Sequence, residues 1–445
     1  MPGISRKAAL ALAASASLAL LSTACTGQSG TGGGDDASQE TTLDLWHAWS
    51  APAEVKAVKS LVAGFEKTHP AIHVNVVGNM TDDKINQALR TGGDKSPDVI
   101  SSFTTNNVGK FCSSGALVDL DPFFEKSGID PETTFPKAMN EYTQFEGNRC
   151  SVPLLGDAYG LYYNKTAFEK AGITAPPKTW SAFEAVAKKL TVPDGDSYEQ
   201  LGFMPNYHGW ETTTEHYLGQ FSPTYFDSDG KSNVAKDPAF KAGFTLQKRL
   251  VDALGGYQRL EKYRATLGDE WGPKHPFHTG QVAMQLDGEW RLGMALDAEP
   301  GFEIGVAPLP VPDDQADQYG KGYITGTIAG IAATSKKQNA AWELVKYMTT
   351  DTDAVVAFSN AIHNVPSTLA ALKSPDLTYD PRFKTFLEIA ANPNSTTTPA
   401  SVNGGVYLTT IQQFGYDYES GKTKDLAAGL ADTARQIDTD IAQAK

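Results

Sequence analysis

The hydrophobic positions near the start of the chain alternate between the spacing of strands and the spacing of helices. Leu43 and Leu45 alternate with polar neighbours, which predicts a strand, and Ser50 followed by Pro52 predicts the first turn of a helix. The apolar residues of this helix fall on one face, which we expect to be buried: Val55, Val58, Leu61, Val62 and Phe65. A second strand, a second helix and the short apolar run SPDVIS follow in the same order. This series indicates a parallel sheet with right-handed crossovers, so we predict an α/β fold.

The carboxyl ends of these strands are the expected place for a ligand, because open parallel sheets bind ligands beyond the ends of their strands. The first strand ends in the run WHAW, which closes with Trp49, and the third ends in SSFT. Trp49 is therefore a candidate ligand-binding residue, and so is Asp98 within SPDVIS.

An aromatic cluster follows the next predicted strand. The stretch LLGDAYGLYYNKTAFEKAGITAPPKTW places three tyrosines close to Asp157 and continues into a short helix, a double proline and the start of another helix at Trp180. The inward pattern of their elements assigns Tyr162, Tyr163 and Trp180 to packing. A surface that binds something flat and hydroxylated would explain the remaining pair, Asp157 and Tyr159.

The same spacing arguments predict elements in the second half of the chain. The run QVAMQLDGEW is typical of a strand that leads into a helix, and FEIGVAPLPV of a strand closed by prolines. Helices are predicted over residues 339–349, with Trp342 on the inward face, and over residues 427–444.

The first 24 residues have the features of a secretion signal. Two basic residues precede an apolar run that ends at Leu21 and is too short to span a membrane. Ala24 before Cys25 suits a lipoprotein signal, in which Cys25 is lipidated and becomes the mature N-terminus. Ser22 departs from that pattern, because an aliphatic residue is usual there, and an ordinary cleaved signal is the alternative.

The chain that follows this signal is long and acidic. Removal of 24 of the 445 residues leaves 421, which suits two lobes with separate cores. The net charge of −14 becomes −16 when Arg6 and Lys7 leave with the signal, which disfavours nucleic acids and anionic membrane surfaces as partners. Residues 25–40 are rich in Gly, Ser and Asp and predict a flexible tether.

Two cysteines remain in the body of the protein, Cys112 and Cys150. Outside the cytoplasm a lone pair of cysteines usually forms a disulfide, and two buried free thiols are the alternative. We predict no metal site and no cofactor, because the chain has no CxxC and no Cys/His cluster. The nearby pair His275 and His278 is interrupted by proline, and we assign it to a solvated loop.

Seven stretches of the chain, taken in order, resemble the extracellular solute-binding proteins of ATP-binding-cassette importers, the carbohydrate-binding family that includes maltose-binding protein. The most specific stretch is the tyrosine-tyrosine-asparagine-lysine segment with its Pro-Pro-x-Thr-Trp. Together the stretches cover almost the whole mature chain. They are FEKTHPAIHVNVV, SPDVI, GALVDLDPFF, VPLLGDAYGLYYNKTAFEKAGITAPPKTWSAF, FHTGQVAMQLDGEWRLGMA, APLP and SKKQNAAWELVKYMT.

This resemblance implies a two-lobed periplasmic-binding-protein-like fold, in which each lobe is a mainly parallel sheet flanked by helices and a hinge joins the lobes. Lobe one would comprise residues 41–155 with 308–362, and lobe two residues 156–307 with 363–445. The family also makes a Cys112–Cys150 disulfide plausible, because in its members these stretches are neighbours within lobe one.

The function that the resemblance implies is that of a monomeric receptor on the extracellular face of the cytoplasmic membrane, held there only by its lipid anchor. It would capture a carbohydrate in the cleft between the lobes and deliver it to the permease subunits of the importer. The aromatic residues favour an oligosaccharide, and the acidic surface disfavours an anionic ligand. Sugar phosphates and sugar alcohols stay open.

A site for a sugar needs aromatic platforms for the apolar C–H faces, and carboxylates or amides for the hydroxyls. The resemblance puts Trp290, in DGEWRLG, at the Gly-x-Trp position, where the ring stacks on a sugar. The candidate ligand-binding residues, drawn from strand ends, crossovers and turn-rich stretches, are Trp49, Asp98, Asp157, Tyr159, Trp210, Trp271, Glu289, Trp290, Tyr323 and Tyr407.

Enzyme functions have little support, because the chain has no GxSxG, HExxH, GxGxxG or phosphate-loop motif. We therefore predict no catalytic residues. A secreted glycoside hydrolase is one alternative, since it also needs aromatic residues and two carboxylates. A cell-surface lectin, which would lack hinge closure, is the other.

Overall fold

A computed structural model describes residues 40–93, 96–205 and 213–445, and all of them belong to one unit. The described residues contain strands that we number in chain order: β1 Thr41–Trp46, β2 Ile72–Val77, β3 Val99–Ser102, β4 Val152–Asn164, β5 Val192–Asp194, β6 Ser197–Phe203, β7 Val282–Gly288, β8 Ile304–Ala307, β9 Ile324–Ile331 and β10 Val365–Pro366.

The helices of the same residues flank these strands in sequence, as an α/β fold requires. They are α1 Pro52–Thr68, α2 Asp82–Thr91, α3 Val108–Ser113, α4 Asp121–Ser127, α5 Pro131–Thr134, α6 Lys137–Tyr142, α7 Lys165–Lys170, α8 Trp180–Leu190, α9 Thr214–Leu218, α10 Pro238–Ala253, α11 Tyr257–Arg264, α12 Trp290–Asp297, α13 Gln338–Thr350, α14 Thr352–Ile362, α15 Lys384–Ala391, α16 Val406–Glu419 and α17 Leu426–Ala444.

The predicted series at the start of the chain is confirmed, because β1, α1, β2, α2 and β3 follow one another and β1 pairs in parallel with both β2 and β3. The face of α1 that the spacing turned inward is buried around Val58, Leu61 and Phe65. A second parallel pair is formed by β6 and β7. The predicted parallel strands are thus present in both halves of the fold.

One long strand, β4, joins these two groups of strands. Its first half pairs antiparallel with β9, from Val152 to Ala158, and its second half pairs antiparallel with β7 and β8, from Tyr159 to Asn164. The strand order is β2-β1-β3-β9-β4-β7-β6-β5, with β8 and β10 also paired to β4. Because eleven of the 13 residues of β4 are buried, this strand is held on both faces and forms a fixed link between the two halves.

The apolar core follows this division. One cluster packs α1, α13 and α14 against the first group of strands and includes Phe65, Trp342 and Phe358. Another packs α8, α10, α16 and α17 against the second group and includes Trp180. A third cluster runs between them along β4. Trp180 and Trp342 are buried, in agreement with their prediction as packing residues.

The two cysteines of the body lie side by side in the third cluster. Cys112 is in α3 and Cys150 is two residues before β4. Their sulfur atoms are 2.08 Å apart and their Cα atoms 5.4 Å apart, which is within the range for a disulfide. The geometry is therefore compatible with the predicted pairing.

Candidate functional site

The carboxyl ends of β1 and β3 meet as the strand pattern predicts, but the exposed aromatic ring there is not Trp49. The ring of Trp49 lies edge-on to Phe103 at 5.2 Å and to Phe358 at 5.5 Å, and only 4% of this tryptophan is exposed. Phe103, which follows β3 directly, is 44% exposed. The aromatic ring that is open to solvent at these strand ends is therefore that of Phe103, and Trp49 packs against it.

A hydroxyl contact connects these strand ends to β4. Thr105 Oγ1 and Thr325 Oγ1 are 3.1 Å apart, and Thr325 is the register partner of Asp157 across the β9–β4 pair. Thr325 and Asp157 are half-buried. Thr105 and Thr325 thus connect the first group of strands to Asp157, the residue predicted at the crossover. No sequence motif had indicated either threonine.

Four aromatic rings form a cluster where β4 passes into the second group of strands. Tyr159 stacks on His216, with ring centroids 3.8 Å apart and planes inclined by 18°. The edge of Trp290 meets Tyr159 at 5.5 Å, and Tyr323 lies 5.7 Å from Tyr159 and 4.9 Å from His216. The structure therefore brings together three predicted site residues and adds His216, which sequence analysis missed.

Trp290 is held in place by the glycine of the DGEW motif. Its six-membered ring lies directly over Gly288, so that any side chain at position 288 would collide with the ring. Trp290 is half-buried, and its buried Nε1 has no hydrogen-bond partner among the described residues. A partly exposed tryptophan with an unpaired N–H offers both an aromatic ring and a hydrogen-bond donor.

A pair of acidic side chains lies next to this aromatic cluster. Glu289, which is fully buried, accepts hydrogen bonds from Ala158 N at 2.8 Å and from Asn364 Nδ2 at 2.7 Å. The same Asn364 Nδ2 donates to Asp157 Oδ1 at 2.8 Å. Burial raises the pKa of Glu289 well above its ordinary value, and the carboxylate of Asp157 raises it further. One amide group thus holds two carboxyl groups together, and the pair favours retention of a proton.

His216 is a buried histidine at the third position of α9. Its Nδ1 accepts a hydrogen bond from Thr213 N at 2.8 Å, which closes the start of that helix. Burial lowers the pKa of His216 to about 3, so the imidazole is neutral at physiological pH. Its sequence context, TTTEHYL, has no pattern that would have singled it out.

Two of the predicted site residues are engaged in structural contacts elsewhere. Asp98 lies at the amino end of β3 and not at its carboxyl end, and it accepts hydrogen bonds from Ser335 Oγ at 2.6 Å and Lys337 Nζ at 3.1 Å. Tyr407 is 1% exposed, and its hydroxyl donates to Pro399 O at 2.7 Å within the second lobe's core. Both side chains are thus held by contacts within the protein.

Among the predicted aromatic residues that the structure describes, Trp271 is the most exposed, at 52%. Its ring lies 5.5 Å from the guanidinium of Arg291, which is buried and pairs with Asp287 Oδ2 at 2.7 Å. Arg291 Nη1 also donates to Glu270 O at 3.0 Å, so this arginine fixes the loop that carries the tryptophan. Trp210, the remaining predicted residue, lies outside the described residues.

The prediction that His275 and His278 occupy a solvated loop is wrong, because both are buried, with ring centroids 4.7 Å apart. Burial lowers the pKa of His275 to about 2 and that of His278 to about 4, and the charge of Arg291 contributes to both shifts. No group of three or more His, Cys, Asp or Glu side chains within the described ranges could hold a metal ion. These histidines are therefore neutral packing residues.

Within residues 40–93, 96–205 and 213–445, no helix combines the length and the apolar character that crossing a membrane requires.

Comparison with known proteins places this geometry in context. The family model for bacterial extracellular solute-binding proteins matches residues 49–355. A maltotriose-binding protein of Pyrococcus abyssi is 23% identical over 340 residues, which cover 76% of this chain and 69% of the relative.

Two solved structures have the same fold at low identity. The sugar-binding protein MalE of Xanthomonas citri gives a TM-score of 0.76 at 22% identity, covering 90% of this chain and 98% of its own. CpMnBP1 with bound mannotriose gives a TM-score of 0.73 at 23% identity, covering 91% of this chain and 100% of its own. These similarities confirm the predicted two-lobed α/β fold class.

Proposed function

Because the chain belongs to the family of bacterial extracellular solute-binding proteins, we propose that it captures a carbohydrate between its lobes and delivers it to the permease of an ATP-binding-cassette importer. Family membership makes it a solute receptor that acts outside the cytoplasm and not an enzyme. The glycoside hydrolase alternative is thereby set aside. The nature of the solute is the part that we argue from the site.

The observation that carries this proposal is the contact between an aromatic cluster and a carboxyl pair. Tyr159 and Trp290 meet edge to face at 5.5 Å, and Glu289, the residue before Trp290, shares Asn364 with Asp157. Aromatic faces suit the C–H surface of a sugar, and carboxylates accept hydrogen bonds from its hydroxyls. Both kinds of group therefore lie within one short stretch around β4 and α12.

Similar proteins support the same class of ligand. The relative from Pyrococcus abyssi is named for maltotriose, and the CpMnBP1 structure contains mannotriose. A lactose-binding protein of Rhizobium radiobacter is 25% identical over 335 residues. We propose an oligosaccharide, with the exposed ring of Phe103 as an additional platform at the strand ends, because these similar proteins are named for or contain oligosaccharides.

The lobe limits and the anchor belong to the same proposal. Lobe one comprises residues 41–155 with 308–362, and lobe two comprises 156–307 with 363–445. Cys25 carries the lipid, residues 25–40 act as a tether, and the receptor works as a monomer at the outer face of the membrane. In this arrangement the tether lets the body reach the permease without entering the bilayer.

A thermal-shift screen tests the ligand class. The mature protein is heated with maltotriose, mannotriose, lactose and sn-glycerol 3-phosphate in turn, and a ligand that binds only the folded form raises the midpoint. We expect one of the two trisaccharides to raise the midpoint most. Small-angle scattering with and without that sugar should then show that the lobes close on binding. Sugar binding without closure would favour the lectin alternative, and the absence of any shift with the three sugars would contradict the carbohydrate proposal.

Substitution of Cys25 tests the anchor. We expect Cys25→Ser to release the protein into the growth medium, because a serine cannot be lipidated in this way, whereas the unsubstituted protein stays with the membrane fraction. Immunoblots of medium and membranes measure the distribution. Full retention of the substituted protein at the membrane would contradict the anchor.

A further inference from the structure

We propose that His216 determines which solutes the site accepts: its Nε2–H donates a hydrogen bond to an uncharged oxygen of the bound sugar, which favours neutral sugars over phosphorylated solutes. This inference rests on the proposed function and narrows its ligand class.

The position of His216 follows from the rings on either side of it. Tyr159, from β4, stacks on the imidazole at 3.8 Å, and Tyr323, which directly precedes β9, lies 4.9 Å from it. Tyr159 also touches Trp290, the proposed sugar platform, at 5.5 Å. The imidazole is thus one ring away from the proposed stacking surface, and two tyrosines fix its plane.

The hydrogen bond at Nδ1 sets the tautomer of His216. Thr213 N–H donates to Nδ1 at 2.8 Å, so Nδ1 has its lone pair free of a proton. In a neutral imidazole the proton is then on Nε2, which becomes a donor. The hydrogen bond of this ring to the described residues is made at Nδ1, and none of them pairs with Nε2. Within the described part of the chain, the nitrogen farthest from the backbone is therefore a fixed donor without a partner.

The imidazole of His216 is uncharged because it is buried and none of the described groups nearby stabilises its protonated form. Tyr159 and Tyr323 face it from their own elements, and Glu215 precedes it on α9. Burial alone lowers the pKa of His216 to about 3, so the imidazole stays neutral at physiological pH. A neutral ring contributes one hydrogen bond and no positive charge.

The acidic groups nearby oppose an anionic ligand. Burial raises the pKa of the Tyr323 hydroxyl, and the carboxylates of Glu215 and Asp157 both raise it further, which shows that these two acids act on the same cluster. Glu289 adds a third carboxyl group, which favours its protonated form and supplies no positive charge. A phosphate requires charge-assisted donors, which none of these groups supplies, and the carboxylate of Asp157 would repel it. A hydroxyl or ring oxygen of an uncharged sugar suits this site better.

The experiment has two arms. In the first, nitrogen–proton correlation spectra of the ligand-free protein with labelled histidine are recorded from pH 5 to pH 8. We expect the His216 signals to show the Nε2–H tautomer throughout, without titration. An imidazole that becomes protonated in this range, or one with its proton on Nδ1, would overturn the inference whether or not a ligand is known.

The second arm compares two substitutions by calorimetric titration, with maltotriose, mannotriose and lactose as probes. His216→Gln returns an N–H close to the position of Nε2, whereas the shorter His216→Asn carries its amide near the position of Nδ1 and does not reach the position of Nε2, and both remove the ring. We expect the Asn variant to bind the preferred sugar about tenfold more weakly than the Gln variant, which corresponds to about 1.4 kcal/mol for one hydrogen bond. Thermal unfolding checks that both variants fold.

The outcomes separate this inference from the proposed function. If a sugar binds and the two variants bind it equally, the role of His216 is wrong and the carbohydrate proposal stands. If sn-glycerol 3-phosphate binds more tightly than every sugar of the panel, selection for neutral ligands is wrong. If none of the sugars binds the unsubstituted protein, the carbohydrate proposal and this inference are both overturned.

Discussion

The starts of helices α12 and α13 each combine a tryptophan with a buried carboxylate, and the two regions differ in how these groups are satisfied. At α13, Asp98 accepts from Asp44 N at 3.0 Å and from the charged Nζ of Lys337 at 3.1 Å, and Trp342 Nε1 donates to Ser127 Oγ at 2.8 Å. Each polar group there has a partner within the protein.

At α12 the carboxyl group has partners too, but of a different kind, and the indole N–H has none among the described residues. Glu289 shares one asparagine amide with Asp157 and has another acid as its neighbour, where Asp98 has a lysine. Trp290 Nε1 has no partner in the part of the chain that the structure describes. Since stable interiors pair their buried polar groups, we assign the α13 region to packing, and the unpaired N–H of Trp290 supports our proposal that the α12 region binds the solute.

The largest expected effect of a single substitution in this comparison is at Trp342. Trp342→Ala removes a ring that meets Phe124 at 4.9 Å and Phe123 at 5.6 Å, and it also leaves Ser127 without its donor. We expect the free energy of unfolding to fall by about 3–5 kcal/mol, with the sugar affinity of the folded protein unchanged. Urea unfolding and calorimetric titration measure the two quantities.

Trp342→Phe is the matched control, because it keeps an aromatic ring and removes only the indole N–H and part of the volume. We expect it to lose clearly less stability than the Ala variant. A loss of sugar affinity in either folded variant would show that the division into a packing region and a binding region is wrong.

A disulfide between Cys112 and Cys150 would add to the packing of the first lobe. The two cysteines are 38 positions apart, and closing a loop of this length adds about 3–4 kcal/mol in the chain-entropy model. We expect thiol titration of the denatured, unreduced protein to detect no free thiol, and Cys112→Ser with Cys150→Ser to lower the unfolding free energy by about that amount. Two free thiols would contradict the disulfide, and sugar affinity serves as the control.

Much of the fold could be predicted because hydrophobic spacing is local. The positions of Val58, Leu61 and Phe65 define the buried face of α1 with no knowledge of its neighbours, and the structure has the same face. Trp290 and the tyrosines of β4 could be recognised for a similar reason, since each lies in a short, specific motif.

The candidate site was harder to predict because its members are brought together by contacts distant in sequence. Asp98 directly precedes β3 and therefore lies at its amino end, and what the sequence does not show is its pairing with Lys337, 239 residues later. Trp49 is buried and Phe103 is exposed because Trp49 packs against Phe358, which lies about 300 residues later in the chain. His216 and Asn364 had no signal, since their importance comes only from the residues they meet.

Trp290 provides the opposite test to Trp342. Trp290→Ala removes the proposed stacking face, and we expect sugar affinity to fall at least tenfold, which is about 1.4 kcal/mol or more. The unfolding free energy should fall much less than in Trp342→Ala, because the ring is half-buried and its N–H is unpaired among the described residues.

Gly288→Ala is a useful companion to this substitution, because the added methyl group would displace the Trp290 ring without removing it. We expect Gly288→Ala to lower the sugar affinity, as Trp290→Ala does. If Trp290→Ala instead lost stability on the scale of a core tryptophan and kept normal affinity, this residue would belong to the packing region and the binding site would lie elsewhere.

The smallest expected effect concerns the carboxyl pair at α12 and its pH dependence. Burial and then the nearby Asp157 hold the pKa of Glu289 well above the ordinary value of 4.5. Between 4.5 and this raised value the folded protein keeps a proton that the unfolded chain has lost, so stability falls as the pH rises through this window. The slope is at most about 1.4 kcal/mol per pH unit for one proton.

Glu289→Gln should remove this contribution, because an amide does not titrate, and urea unfolding at several pH values between 5 and 7 measures the slope in each protein. The exposed Glu303, which pairs with Lys165, is a matched control, because Glu303→Gln removes the same charge outside the pair. We expect Glu303→Gln to leave the slope of the unsubstituted protein. If Glu289→Gln left the slope unchanged, Glu289 would ionise at its ordinary pKa. The carboxyl groups at α12 would then be stabilised in their charged form as Asp98 is at α13, and this difference between the two regions would disappear.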